Sequence, residues 1–194
     1  MPLSEAAQRS EVHHRVIDMK TYARADGLYD VEAHLLDRKP FPLLRPLATA
    51  PVPAGQPLHD LWVRVTVDAD FVVQAIEASS DVTPFPLCRA AEPTLQVLVG
   101  ERIAKGWSAK VRERLRGTAS CTHLMEMLIP LATTAIQGIR VHKRLSSGKP
   151  VETGDAPANL NTCYAYAADR DVVKRLWPQH YRPAEAQAQA DIKK

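Results

Sequence analysis

The chain has 194 residues with a formal charge of +3; 45% are apolar and 24% charged, close to ordinary globular usage. That composition excludes wholesale disorder and a collagen-like fibre, and it supplies enough chain for one cored domain with extensions and no disulfide staples. The small basic excess sits in local runs such as 110–116 and 140–144, so no dominant nucleic-acid footprint follows.

Residues 13–22 are rich in β-branched and apolar types (Val16, Ile17, Met19, Tyr22), and a second such run covers 28–36. Asp26-Gly27 lies between them, where glycine supplies the positive φ of a tight turn, so the two runs read as a hairpin. Six prolines between Pro40 and Pro57 remove backbone donors and make that stretch extended linker or edge segment. Leu61, Val63, Val65 and Val67 then alternate with Trp62, Arg64, Thr66 and Asp68; Ala69-Asp70 separates them from a second alternating run at 71–78. Period two with a short polar break predicts another antiparallel hairpin.

The period changes after Cys88. Leu95, Leu98, Val99, Ile103, Trp107, Val111 and Leu115 recur at helical spacing, with Gly100 and Gly106 breaking the run and Gly117 placed to end it. A longer helix is expected over 122–144, apolar at Leu124, Met127, Leu128, Leu131, Ala135, Ile136 and Ile139, with Pro130 kinking it or ending a first piece. Residues 146–162 read as loop, 169–177 as a short terminal helix, and the tail beyond Pro183 as frayed. Strands followed by helices give an α+β two-layer sandwich. Its expected parts are an N-terminal hairpin and linker (1–57), a core (58–145) and a C-terminal extension (146–194) within one domain.

The opening Met1-Pro2-Leu3-Ser4-Glu5 leads into no apolar h-region, and the most apolar stretch, 124–139, falls short of the ~18–20 residues that cross a bilayer and carries Glu126. Cys88, Cys121 and Cys163 cannot all pair, so they read as thiols or metal ligands in a cytoplasmic protein. Reactive side chains gather at element boundaries: His59-Asp60 before the strand at Leu61, Cys88 after the second strand of that hairpin, and Cys121, His123 and Glu126 at a helix start. Thiolate, imidazole and carboxylate are the ligand types of zinc, and a thiol at a helix N-terminus is favoured as thiolate. Each residue also has an ordinary use. Buried cysteines often fill apolar space, His123 and Glu126 could share a solvated helix face, and His59-Asp60 could be a strand-entry turn. No Cys-x-x-Cys is present.

From Leu58 onward, over 58–138, the run Asp60-Leu-Trp-Val-Arg-Val-Thr-Val-Asp, the later Cys88 and the Cys121-Thr-His-Leu-Met-Glu motif resemble the iron–sulfur scaffold proteins of the NifU/IscU type. The resemblance implies a NifU/IscU-like core and a ligand set of Asp60, Cys88 and Cys121. Where those scaffolds carry another cysteine, two residues before the aspartate, this chain has Leu58. Two thiolates and one carboxylate leave a coordination position open, as catalytic zinc requires, and cradle an iron–sulfur cluster poorly. The whole chain also resembles a bacterial domain-of-unknown-function family, some of whose members are γ-formaldehyde lyases acting on lignin-derived diaryl compounds.

These resemblances imply a zinc-dependent carbon–carbon lyase that releases formaldehyde from a phenolic diaryl compound and leaves a stilbene. His123 or His59 would accept the proton and Glu126 would orient His123, with Trp62, Phe85, Trp107 or Tyr22 walling an aromatic pocket. The alternatives are a carrier of metal (iron or an iron–sulfur cluster), and a binding module whose cysteines are core filler. The expected partner is a small aromatic molecule rather than nucleic acid or membrane, and a homo-oligomer is compatible with the sequence.

Overall fold

The computed structural model describes residues 3–148 and 159–183; part of the 146–162 loop and the tail beyond Pro183 lie outside them. Four strands, β1 (His14–Ala23), β2 (Tyr29–Arg38), β3 (Pro57–Val67) and β4 (Val73–Val82), form one antiparallel sheet in the order β1-β2-β3-β4. The first hairpin closes at Gly27, whose φ of 85° suits the turn. Both expected hairpins are present; β3 begins four residues before the marked alternation, and β4 is displaced two to four residues along the chain.

Period two decides which side chains reach the core. On β2, Tyr29, Val31, Ala33 and Leu35 are buried; on β3, Leu61, Val63, Val65 and Val67 are buried beside them. Helices cover this face. The α-helices in unit 1 are α1 (Trp107–Leu115) and α2 (Thr122–Ser147), the latter running on past that unit. Their stripes, Trp107, Val111 and Leu115 on one and Leu124, Met127, Leu128, Leu131, Ala135 and Ile139 on the other, join the strand residues in one core. Each fully buried leucine contributes roughly 1.5–3 kcal/mol relative to leaving it exposed. The fold class is therefore α+β.

Two expectations change. The stretch expected as the first helical piece is a 3-10 helix, Pro86–Leu98, with Pro86 at its start and Pro93 inside it. A proline lacks the donor an α-helical ladder needs, so the tighter coil prevails. Pro130 does not end α2, which runs unbroken for 26 residues; the Thr133 hydroxyl donates to the Pro130 carbonyl at 2.8 Å. By length and composition α2 could cross a membrane, but its apolar stripe is packed into the core. Where β1 passes over α2, Gly138 leaves room for Thr21: a Cβ there would sit 2.8 Å from the Thr21 Cβ.

The chain divides into two compact units, 1–143 and 144–194. Within the second, α3 (Asp171–Leu176) buries Val173, the ring of Trp177 lies 5.5 Å from that of Tyr166, and the Arg170 guanidinium stacks over Tyr164.

Candidate functional site

At one end of the sheet the helix-facing rows of three strands turn polar. Ladder pairing sets Arg15 of β1 opposite Asp37 of β2, and Asp37 opposite His59 of β3. All three occupy the phase that elsewhere carries the apolar core, so the row Arg15–Asp37–His59 continues the core surface with charge. Register shifts at Asp37/Arg38 and at Asp60/Leu61 mark irregular pairing at this end, a common way for strands to re-aim side chains beside a site.

Asp37 is 2% exposed. An ionised carboxylate buried that far needs partners, and it has four donors. Arg15 Nε and Nη2 donate to Oδ1 and Oδ2, both at 2.7 Å, in the fork geometry that suits a carboxylate. His59 Nδ1 lies 3.0 Å from Oδ2, and His13 Nε2 lies 3.2 Å from Oδ1. Because the carboxylate can only accept, His59 Nδ1 carries the proton in this pair and Nε2 keeps its lone pair. Burial pushes the Asp37 carboxyl up, but Arg15, with His13 and His59, outweighs this and holds it below the usual 3.8.

The start of α2 lies beside this row. His123 brings its ring centroid to 4.1 Å from that of His59, and its Nδ1 to 3.9 Å from Cys121 Sγ. Glu126 Oε2 is 3.6 Å from Arg15 Nη1. Both imidazoles are pushed below the ordinary 6.5. For His59 the causes are burial and then the charge of His123, opposed by Asp37; for His123 they are burial and then Arg15. Two neutral imidazoles therefore face each other at neutral pH, one oriented by a buried carboxylate.

The structure thus brings together His59, His123, Cys121 and Glu126 among the residues singled out in the sequence. Asp60 lies elsewhere: one residue past His59 it points to the opposite face of the sheet, where its Oδ1 is 2.7 Å from His34 Nε2 and His34 stacks on Trp62. Cys88 sits in the 3-10 stretch after β4, half-buried, with its N–H donated to the Phe85 carbonyl. Among the described residues, the one group of three His, Cys, Asp or Glu side chains with ligand atoms close enough for an ion is Asp37, His59 and His123, all within 4.8 Å. Asp60, Cys88 and Cys121 form no such group. Of the expected aromatic walls, Trp107 belongs to the core with its Nε1 donating to the Leu128 carbonyl, and Trp62 to the outer face.

His13, Arg15 and Asp37 were missed in the sequence. The signal was present: Asp37 falls in phase with Tyr29, Val31, Ala33 and Leu35, and a carboxylate at an inward position demands partners.

A two-layer α+β domain with a charged row buried at one end of its sheet is the class of protein this fold and site define. The chain belongs to the DUF2889 family, described as a protein of unknown function, whose model matches residues 13–137. That span begins at His13 and includes every residue of the Asp37 cluster. Comparison with curated proteins and with solved structures gave no match.

Proposed function

We propose that this protein is a carbon–carbon lyase of the cytoplasm that releases formaldehyde from a phenolic diaryl compound and leaves a stilbene, with His59 as the proton-transferring base. The observation that carries this reading is the Asp37–His59 pair, in which Nδ1 is tied to a buried carboxylate and Nε2 is left to act. The sequence resemblance to formaldehyde lyases supplies the substrate class; the resemblance to NifU/IscU-type scaffolds implied a ligand set, Asp60, Cys88 and Cys121, that does not come together.

In the proposed reaction a phenolate pushes out the benzylic oxygen, which takes a proton from solvent and leaves as water. The quinone methide so formed is an electron sink. His59 then accepts the γ-hydroxyl proton while the Cβ–Cγ electron pair moves into that sink, giving the stilbene, the phenolate and formaldehyde. His59 then passes that proton to solvent, which replaces the one consumed in the first step, so both imidazoles end neutral as they began. His123, whose ring neighbours that of His59, shares that proton, and the lowered affinity of both rings keeps an unprotonated nitrogen available near neutral pH.

Zinc, the expected cofactor, would supply Lewis acidity to the γ-hydroxyl. The donor atoms fit it incompletely: both oxygens of Asp37 are taken by Arg15, which leaves two imidazoles where catalytic zinc takes three protein ligands. The hydrogen-bonded cluster therefore favours direct proton transfer by the imidazoles.

The test is formaldehyde release from a panel of phenolic diaryl 1,3-diols, with native and chelator-treated protein. Release by both supports the reading. Release only by metal-loaded protein transfers the chemistry to a zinc site, and none from any substrate overturns the lyase. Uptake of iron and sulfide with visible bands under anaerobic reconstitution would favour the carrier.

A further inference from the structure

The two edges of the sheet are finished differently. Along β4 the backbone is taken up by the segment that follows it: Val73 N–H donates to the Glu101 carbonyl at 2.9 Å and Gly100 N–H to the Val73 carbonyl at 2.8 Å. The Gln96 side chain reaches the Ile76 carbonyl at 2.6 Å, and Arg89 Nε the Ser80 carbonyl at 3.0 Å. β1 is the terminal strand on the other side. It has ten residues without proline or glycine and pairs with β2 without a register shift, so its outer edge is a straight template for another strand. Val16, Ile17 and Tyr22 are exposed along it.

We propose that β1 pairs antiparallel with β1 of a second copy of this chain, about a two-fold axis at Met19, extending the sheet to eight strands. Charge selects that register. With Met19 at the axis, Asp18 lies opposite Lys20 of the partner subunit, twice by symmetry, and Val16 lies opposite Tyr22 of the partner subunit. Within one chain Asp18 and Lys20 already share a face, 2.6 Å apart, so the strand offers both signs to its own copy. A shift of two residues sets Asp18 against Asp18 of the partner subunit, or Lys20 against Lys20 of the partner subunit. A shift of one would set helix-facing side chains against solvent-facing ones.

On the helix side, Ile17 of the partner subunit falls opposite Thr21. Thr21 lines an open groove of about 350 Å³ with Thr133, Thr134, Gln137 and Gly138, enough for that side chain.

Sedimentation velocity on the full chain over a concentration series tests this. The native chain is expected to dimerise. Asp18→Lys alone and Lys20→Asp alone should each weaken the dimer about tenfold or more, since like charges then face each other at two symmetric places. The double exchange should restore it, and the two single variants mixed should pair with each other. Circular dichroism checks that each variant is folded. A native chain monomeric throughout, a dimer indifferent to either reversal, or a double variant no tighter than the singles would overturn the proposal. Formaldehyde release plays no part in any of these outcomes.

Discussion

The sheet carries a histidine–carboxylate pair on each face. On the helix side His59 meets Asp37 at 3.0 Å; on the open side His34 meets Asp60 at 2.7 Å. Residue types and distances are alike, and the surroundings are not. The Asp37 side chain is 3% exposed and clamped by Arg15, with a second imidazole beside its histidine; His34 and Asp60 are each about a quarter exposed, with Trp62 stacked on the ring. Contact distance therefore says little about what such a pair can do. Desolvation and the third and fourth neighbours decide whether the imidazole is poised or merely solvated.

The largest effect expected is on turnover. His59→Ala should lower formaldehyde release at least about a hundredfold, the usual contribution of a positioned acid–base group, while His34→Ala stays within about twofold. Equal losses from both variants would erase the distinction between the faces. Stability comes next. Asp37→Asn leaves Arg15 with only the exposed Glu126 as counter-charge and should cost about 2–3 kcal/mol in urea unfolding, against about 0–1 kcal/mol for Asp60→Asn.

A smaller effect follows from pH. His59 and His123 bind protons less tightly folded than unfolded, so acid favours the unfolded chain. Their contribution is complete above about pH 6.5 and is lost as pH falls through their lowered values; that of Asp37 goes later, below about pH 3.8. Urea midpoints between pH 5 and 8 should therefore fall toward acid in the native chain and less steeply in His59→Gln. The smallest effect expected is from metal removal: exhaustive chelation should leave formaldehyde release within about twofold, because both Asp37 oxygens accept hydrogen bonds from Arg15. A chelated protein that is folded and inactive, and recovers with zinc, would make the two imidazoles ligands instead of bases.

Much of the fold was legible because alternation and turns are local signals. The Asp26-Gly27 turn fixes the first hairpin, and counting outward from it pairs Arg15 with Asp37. What escaped the reading was the meaning of polar residues in apolar phases: Asp37 lies just beyond the expected 28–36 run and Arg15 inside 13–22, and phase places both on the helix side. Asp60 shows the converse. Adjacent in sequence to His59, it is separated from it by the thickness of the sheet. The approach of His123 to His59 depends on how α2 lies across the strands, and no local pattern carries that. Proline behaves differently at its two helical positions: Pro93 lies inside a 3-10 coil, whereas Pro130 lies inside a 26-residue α-helix.

Gly138 lies far along α2 from the cluster, yet the closeness it allows between helix and strand is felt there. β1 carries Arg15 at one end and rests Thr21 on Gly138 at the other, while α2 carries His123 and Glu126 at its start. The two elements also meet at Thr134, whose hydroxyl donates to the Met19 sulfur and whose carbonyl accepts from Thr21, so the spacing allowed at Gly138 is carried along their contact. The missing methyl at position 138 is therefore a dimension of the site, held a dozen residues away from any group that could touch a substrate.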